Sequence, residues 1–409
     1  MSIIVENSVF RLFGKIQHYS WGGYNFIPAL LGLRPEPGTT YAEYWMGAHE
    51  KTPSEIVQND GTTRPLDIVI KEQPEMVLGQ HVARQYGRLP YLFKVLDVRE
   101  MLSVQVHPDQ AEAEVGFAQE NMLGIPLTAP ERNYKDNNHK PELQLALSDF
   151  WLLHAFRTED QIHEILNEIP EFHILLPTFT HYGYQALYKH IMEMPLDRVV
   201  SILDPLAHRI LQQYEAGALE KSSPDYWAAK AIKNRPEDTF DRGIFSIYLF
   251  NLLKLEPGTA IFQDAGIPHA ALEGQAIEIM ANSDNVIRGG LTPKHVDVPQ
   301  LLKLITFRGI TPEIVEGKAE SNPHEFFYRS PSREFCLSKI EMKKRDRYEN
   351  MSYSTEIMLM YSGETMLSTI DRDMVAKKGE SILIPAGKDY RLRALSDDVV
   401  IFKAFIPTI

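Results

Sequence analysis

The chain has 409 residues, of which 44% are hydrophobic and 24% charged, and its formal net charge is −13. This is the composition of a globular protein, and the length predicts two or three domains. The negative charge argues against nucleic acid or an anionic membrane surface as the main partner, so an anionic substrate would need basic residues gathered locally. The single cysteine, Cys336, excludes an internal disulfide and fits a reducing cytoplasm.

The N-terminus and the hydropathy of the chain favour a soluble, cytoplasmic protein. Residues Met1 to Asn7 lack the basic region and the apolar run of a secretory signal. No apolar stretch approaches the roughly 20 residues that a membrane span needs. We therefore expect neither export nor membrane insertion.

The first part of the chain, from Phe10 to about Phe156, has the texture of short strands broken by Gly and Pro. Helices are expected at Ile68 to Leu78 and at Pro108 to Met122. The segment Tyr91 to Val98 is an almost continuous apolar run, which predicts a buried strand. It is interrupted by Lys94, and a buried lysine requires a partner or a function.

A helical block is predicted from about residue 158 to residue 240. It opens with a capping box, Thr158-Glu159-Asp160-Gln161, followed by apolar residues at helical spacing. Two more helices are expected near Asp197, after Pro195, and from Asp225 to Ile232. Strand-like patterns then return at Leu252. A short helix is expected at Leu301 to Ile305, and strands are predicted again from about Glu325 to the end.

A faint internal repeat connects the two β-rich regions. Residues 258–269 align with residues 379–390, with Gly, Ile, Ala and Gly at matching positions. Such a Gly-strand-Gly pattern is typical of double-sheet jelly-roll barrels, although chance similarity of two strand-turn segments remains an alternative. The second copy has Tyr390 where the first has His269, which predicts a related barrel without a metal.

Four side chains in these segments form a candidate metal site. Gln105 and His107 are two residues apart in a short β-type run and therefore point to one face, away from Val104 and Val106. Glu142 and His269 come from two other segments. This oxygen- and nitrogen-rich set suits Zn²⁺ with one open position, and its formal charge of +1 would keep the ion electrophilic.

Basic residues beside these ligands are suited to an anionic substrate. Lys140 shares a face with Glu142, and the segment 282–295 adds Arg288 and Lys294 beside flexible glycines. A lysine near a divalent cation and an arginine has its ammonium form disfavoured and becomes a candidate base. Taken alone, the 282–295 segment could equally be a solvated basic turn.

These residues resemble the type I mannose-6-phosphate isomerases (phosphomannose isomerases), a family of zinc-dependent cupin enzymes. The similarity covers most of the chain. It is carried by Tyr19–Gly22, Glu43–His49, Tyr91–Val98, Leu102–Asp109, Tyr134–Leu143, Leu252–Gly274 and Glu278–Asp297. It implies a mainly β fold with a helical insertion, built of two cupin-type jelly-roll barrels and an α-helical domain. The implied domains are a catalytic cupin (1–156 and 244–310), the helical insertion (157–243) and a C-terminal cupin-like barrel without metal (311–409).

The resemblance also implies the site and the reaction. The family's zinc ligands fall on Gln105, His107, Glu142 and His269, and its catalytic arginine falls on Arg288. The implied reaction interconverts D-mannose 6-phosphate and D-fructose 6-phosphate by moving a proton between C1 and C2 through a cis-enediol. The further candidates are the base, which is Lys140 or else Asp284, and three substrate contacts, which are Lys294, Lys94 and Ser103.

Two other functions compete with this interpretation. A different metal-dependent cupin enzyme, such as an iron oxygenase or another sugar isomerase, would favour more histidines over a glutamine ligand. A non-catalytic sugar-phosphate-binding protein would not need the base or the arginine. The identity of the divalent ion, the oligomeric state and the anomer preference stay open at this stage.

Overall fold

The computed structural model describes residues 9–58, 61–234 and 240–407. The N-terminal segment Met1 to Asn7 lies outside the described residues. Within them the strands are β1 (Phe10–Phe13), β2 (Lys15–Gln17), β3 (Glu43–Gly47), β4 (Glu55–Val57), β5 (Thr63–Pro65), β6 (Tyr91–Val98), β7 (Gln105–Val106), β8 (Glu142–Ala146), β9 (Phe150–Phe156), β10 (Phe250–Leu255), β11 (Thr259–Gln263), β12 (His269–Ala281), β13 (Ile287–Arg288), β14 (Ile314–Glu316), β15 (Lys318–Ala319), β16 (Glu325–Tyr328), β17 (Cys336–Lys343), β18 (Arg347–Met351), β19 (Glu356–Ser362), β20 (Glu364–Ser368), β21 (Asp373–Lys377), β22 (Ser381–Ile384), β23 (Asp389–Ala394) and β24 (Asp398–Phe405).

The helices are concentrated between β9 and β10. They are α1 (Phe26–Leu31), α2 (Leu66–Glu72), α3 (Pro74–Leu78), α4 (Gln80–Tyr86), α5 (Gln110–Met122), α6 (Glu159–Glu168), α7 (Leu176–Met192), α8 (Leu196–Glu215), α9 (Pro224–Lys233), α10 (Gly243–Leu249) and α11 (Val298–Leu304), with a 3-10 helix at Pro170–Leu175. No helix in the described part of the chain has the length and apolar character required to cross a membrane.

The mainly β fold with a helical block is confirmed, and most predicted elements are present. The capping box at Thr158 starts α6 as expected, with both of its reciprocal hydrogen bonds formed. The helix predicted at Ile68 to Leu78 is two helices, because Pro74 cannot donate the hydrogen bond that would continue α2 and instead begins α3. Helical structure also continues beyond residue 243, through α10.

Three sheets carry the strands. An 11-stranded sheet contains the path β14-β11-β8-β12-β6-β3-β2, with β7, β9, β10 and β13 attached through β12 and its neighbours. A 9-stranded sheet has the order β15-β16-β17-β24-β19-β22-β1-β4-β5, and a 4-stranded sheet has the order β18-β23-β20-β21. The long strand β12 is the centre of the first sheet, because it pairs with β6, β7, β8 and β9.

Strands from the two ends of the chain share the 9-stranded sheet. β1 pairs with β22, so that Phe10 lies opposite Leu383, and its other edge pairs with β4. Conversely, β14 pairs with β11 in the 11-stranded sheet. Strand β1 is therefore an integral part of the sheet formed mostly by the C-terminal strands.

The internal repeat has a structural counterpart. Gly258 and Gly379 have φ angles of +89° and +85°, and the second glycines, Gly266 and Gly387, have φ angles of +75° and +76°. Residues with a Cβ rarely adopt these left-handed conformations, so both copies require glycine at both turns. The matching backbone supports a true repeat over chance similarity.

Where the first copy carries His269, the second carries a buried tyrosine that belongs to a closed polar cluster. The Tyr390 hydroxyl donates to Glu356 at 2.7 Å. Nζ of Lys403 lies 2.7 Å from Glu325 and 3.8 Å from Glu356, and it also donates to the Tyr348 hydroxyl at 2.9 Å. Burial raises the pKa of Glu356. A lysine ammonium thus provides the positive charge inside this part of the fold.

Candidate metal centre and active site

Three strands place predicted site residues in one row. In the register of the 11-stranded sheet, Gln105 on β7 lies opposite His269 on β12 and, across its other edge, opposite Arg288 on β13. Directly opposed residues project to the same face of a sheet, and His107 shares that face because it follows Gln105 by two positions. On the other face, Val104 and Val106 are fully buried in the hydrophobic core formed with the helices. The alternation predicted for this stretch is confirmed.

His107, Glu142 and His269 form a compact group of buried potential ligands. Nε2 of His107 lies 3.4 Å from Oε1 of Glu142, and Nε2 of His269 lies 3.5 Å from Oε2 of the same carboxylate. The ligand atoms all lie within 4.8 Å of one another. Zn–N and Zn–O bonds of about 2.0–2.2 Å at tetrahedral angles put neighbouring ligand atoms about 3.3 Å apart, so these separations fit one ion.

The hydrogen bonds of the two histidines orient them as metal ligands. Nδ1 of His107 bonds the backbone carbonyl of Asn285 at 2.8 Å, and Nδ1 of His269 bonds the carbonyl of Ile267 at 2.9 Å. A carbonyl only accepts, so each Nδ1 carries the proton and each Nε2 keeps its lone pair. Nε2 of His107 is buried and has no hydrogen-bond partner among the described residues. The donor set therefore fits a divalent cation, with Gln105 beside it on the same face.

Lys140 is the cation nearest to this group. Its Nζ lies 3.0 Å from Oε1 of Glu142, and both side chains are buried. Burial alone would raise the pKa of the Glu142 carboxyl, but the charge of the neighbouring Lys140 ammonium holds it well below its usual range. Glu142 is therefore an ionised carboxylate at neutral pH, as a metal ligand must be.

Two buried histidines predict the acid sensitivity of the metal-free protein. Burial lowers the pKa of His107 and that of His154 from 6.5 to about 4. Between about pH 6.5 and 4 the unfolded chain therefore binds protons that the folded chain does not, so stability is present above pH 6.5 and is lost as the pH falls. We expect losses on the order of 3 kcal/mol for each histidine by pH 4.

Urea unfolding of chelator-treated protein across this pH range measures the loss. A His154→Asn variant should flatten the pH dependence, whereas substitution of His208, whose side chain is 74% exposed, should leave it unchanged. An equally steep dependence in the His154 variant would contradict the assignment.

Arg288 and Lys294 form the open cationic edge of the site. Among the described residues neither forms an ion pair with a carboxylate. Burial lowers the pKa of Arg288, and burial together with the Arg288 charge lowers that of Lys294. Lys135 joins them, because the charges of Lys51 and Arg288 add to burial in lowering its pKa. These neighbouring cations repel one another and together provide a field suited to an anion.

Lys94 is held inside the 11-stranded sheet by acidic partners. Its Nζ lies 2.9 Å from Glu278, directly opposite it in the register, and 4.0 Å from Glu43. Although burial opposes the charged form, these carboxylates raise the pKa of Lys94. The buried lysine thus has the partner that its sequence context requires. Ser103, two positions before Gln105, is half-buried.

Asp284 lies in a separate ion-pair cluster at the rim. Its carboxylate contacts Nε2 of His49 at 3.1 Å and Nζ of Lys51 at 2.5 Å. Burial raises the pKa of Asp284, but the bonds from His49 and Lys51 dominate and hold it well below its ordinary value. Such a carboxylate is a weak base.

Sequence reasoning missed several residues of this site. Asn285 bonds the candidate ligand His107, and its side chain bonds the backbone of Lys135 and Asp136. Lys51 pairs with Asp284. In the sequence, only the spacing of polar residues before Lys140 could have pointed to Lys135 and Asp136. No periodic pattern marks Lys51. Strand alternation predicted Gln105, His107 and Glu142 as ligands, whereas the role of Arg288 came from the family resemblance.

Comparisons with known proteins agree with this geometry. Residues 9–159 match the family model of the phosphomannose isomerase type I catalytic domain. The mannose-6-phosphate isomerase of Salmonella typhimurium is 35% identical over 385 residues, which cover 92% of this chain and 94% of that protein. The human mannose-6-phosphate isomerase is 32% identical over 428 residues, with 97% and 98% coverage.

A solved structure shares the whole fold. The crystal structure of the Salmonella typhimurium mannose 6-phosphate isomerase bound to its substrate, f6p, and to zinc aligns with a TM-score of 0.87 at 32% identity. The alignment covers 98% of this chain and 100% of that one. The chain belongs to the type I phosphomannose isomerase family.

Proposed function

We propose that Gln105, His107, Glu142 and His269 hold one Zn²⁺ in this enzyme, which interconverts D-mannose 6-phosphate and D-fructose 6-phosphate. The observation that carries the proposal is the buried His107–Glu142–His269 group, with its oriented histidines, in a chain that aligns end to end with a relative that binds zinc and substrate. Zinc, when bound, supplies a Lewis acid that polarises the oxygens of C1 and C2 and stabilises negative charge on them.

Lys140 is our proposed general base. In the aldose its neutral amine removes the proton from C2, which leaves a cis-enediolate with the negative charge on O1. A proton then passes from the O2 hydroxyl to O1, and the Lys140 ammonium returns its proton to C1 to give the ketose. Its position supports this role, because its Nζ lies 3.0 Å from the Glu142 carboxylate and thus at the ligand group. The carboxylate of Asp284, the rival, is instead held by His49 and Lys51.

A Lys140→Met variant is expected to lose both isomerisation and exchange of the C2 proton by a factor of about 10² to 10⁴, the usual contribution of a general base. NMR of mannose 6-phosphate in D₂O follows the exchange directly. The matched variant is Asp284→Asn, which should keep most of the exchange. Near-normal exchange in the Lys140 variant, with loss in the Asp284 variant, would reverse the assignment.

We propose that Arg288 neutralises the enediolate and that the other cations at the same edge bind the phosphate. Arg288 lies next to Gln105 in the register and has no carboxylate partner among the described residues, so its charge is available to substrate. Lys294 adds charge at the same edge. Lys94 and Ser103 are assigned to uncharged sugar hydroxyls, since the Lys94 ammonium is already balanced by Glu278.

Metal removal tests the proposed function as a whole. We expect chelation to abolish turnover of mannose 6-phosphate in a coupled assay, and stoichiometric zinc to restore it. Activity that survives complete metal removal would refute the zinc mechanism. Oxygen consumption with bound iron would favour the oxygenase alternative, and binding of fructose 6-phosphate without turnover would favour a non-catalytic binding protein.

We also propose the three-part division into 1–156 with 244–310, 157–243, and 311–409. The concentration of helices from α6 to α9 supports the middle part. Two strand pairings join the first part to the C-terminal part, namely β1 with β22 and β11 with β14.

The cytoplasm is the proposed location, because the single cysteine, Cys336, is free and buried. Sugar phosphates are the proposed partners.

A further inference from the structure

Asn285 connects to a proposed metal ligand through its backbone. It is fully buried, and its carbonyl oxygen is the acceptor for Nδ1 of His107 at 2.8 Å. This bond fixes the tautomer and the ring orientation of His107. The position of the Asn285 carbonyl therefore decides where Nε2 of the histidine points.

The side chain of Asn285 bonds a different segment of the chain. Its Oδ1 accepts from the backbone N–H groups of Lys135 at 2.7 Å and Asp136 at 3.2 Å. Its Nδ2 donates to the carbonyl oxygens of Asp136 and Asn138, each at 2.8 Å, and lies 3.3 Å from the Asp136 carboxylate. Every donor and acceptor of the amide is used on the 135–138 segment.

These two sets of bonds join the two halves of the site. The 135–138 segment runs directly into Lys140 and Glu142, while Asn285 stands three positions before Arg288. We propose that Asn285 is a positioning residue, which sets the distance between the proposed ligands His107 and Glu142. It binds His107 through its backbone carbonyl, and through its side-chain amide it binds the 135–138 segment that leads to Glu142. The inference rests on the proposed ligand set.

A general contribution to stability is the competing explanation, and the chain offers a matched control. Asn251 is also buried, and its Nδ2 donates to the carbonyl oxygens of His154 at 3.0 Å, Phe156 at 3.1 Å and Ile310 at 3.0 Å. With a further contact to the Ala155 carbonyl at 3.4 Å it holds four carbonyls, where Asn285 holds two, and none of its partners is a proposed ligand. Both substitutions should lower the unfolding temperature of the metal-free protein.

The experiment compares Asn285→Ala, Asn285→Ser and Asn251→Ala with the wild type. Zinc affinity is measured at fixed pH by competition with a chromophoric chelator, and thermal unfolding is measured on the metal-free forms. We expect zinc affinity to fall about 10- to 100-fold in both Asn285 variants, as for other residues that orient a ligand, and to be unchanged in Asn251→Ala. The serine variant provides the result if the alanine variant does not fold.

Equal zinc affinities in the Asn285 variants and the Asn251 variant would overturn the proposal, because both would then act through stability alone. This test can fail without the proposed function failing, and the two failures give different results. Failure of the wild-type protein to bind zinc or to isomerise mannose 6-phosphate would refute the ligand set itself. A wild type that binds zinc alongside unaffected Asn285 variants would refute only the positioning role.

Discussion

A Glu142→Gln variant is expected to lose isomerase activity by a factor of about 10³ or more, together with most of its zinc. Glu142 is the one carboxylate of the ligand group and touches both histidines, at 3.4 and 3.5 Å. The amide keeps the shape but removes the negative charge, and it leaves the buried Lys140 ammonium without its partner. Metal analysis of the purified variant and the coupled assay give the two readouts.

Glu278→Gln is the control for this result. Glu278 is equally buried and is also paired with a buried lysine in the same sheet, Lys94, but it is not a proposed ligand. This variant should lose stability while keeping one zinc per chain. If Glu142→Gln retains stoichiometric zinc at wild-type affinity, the carboxylate is not a ligand.

An Arg288→Ala variant is expected to keep its zinc and to lose about 10²- to 10³-fold in kcat, the range found when one stabilising charge is removed from a transition state. The half-buried guanidinium has no carboxylate partner among the described residues, so its removal strands no buried charge and should leave the fold intact. Single-turnover kinetics with zinc-loaded protein measure the chemical step.

Two further variants separate charge from geometry. Arg288→Lys keeps the charge but not the planar fork, and we expect it to recover only part of the rate. Lys294→Met should instead raise KM with kcat nearly unchanged, because its exposed ammonium is assigned to phosphate binding. An Arg288→Ala enzyme changed only in KM would move the arginine from catalysis to substrate binding.

The sequence allowed the core of the site to be predicted because strand geometry is local. Two-residue alternation is enough to put Gln105 and His107 on one face, and the Gly-strand-Gly turns indicated where His269 would begin a strand. The family resemblance then gave the roles. The contacts that hold these residues could not be predicted from the sequence, because Asn285 bonds residues about 150 positions away.

The helices that were missed lack a clear periodic signal. Every residue of α10 is buried, so no polar face marks its period. In α7 the backbone at Gly183 departs from helical angles, with φ of +73°, and this breaks the apolar stripe. The pairing of β1 with β22 could not be predicted, since nothing in a four-residue strand specifies so distant a partner.

The shared sheet also bears on how the protein is made. Arg11 on β1 lies opposite Ile382 on β22, near the other end of the chain. At about 5–20 residues per second, a ribosome needs roughly 20 s or more to reach that partner, and until then β1 has one unpaired edge. The N-terminal strands must therefore wait through nearly all of translation, and chains released early would expose that edge to pairing with other chains.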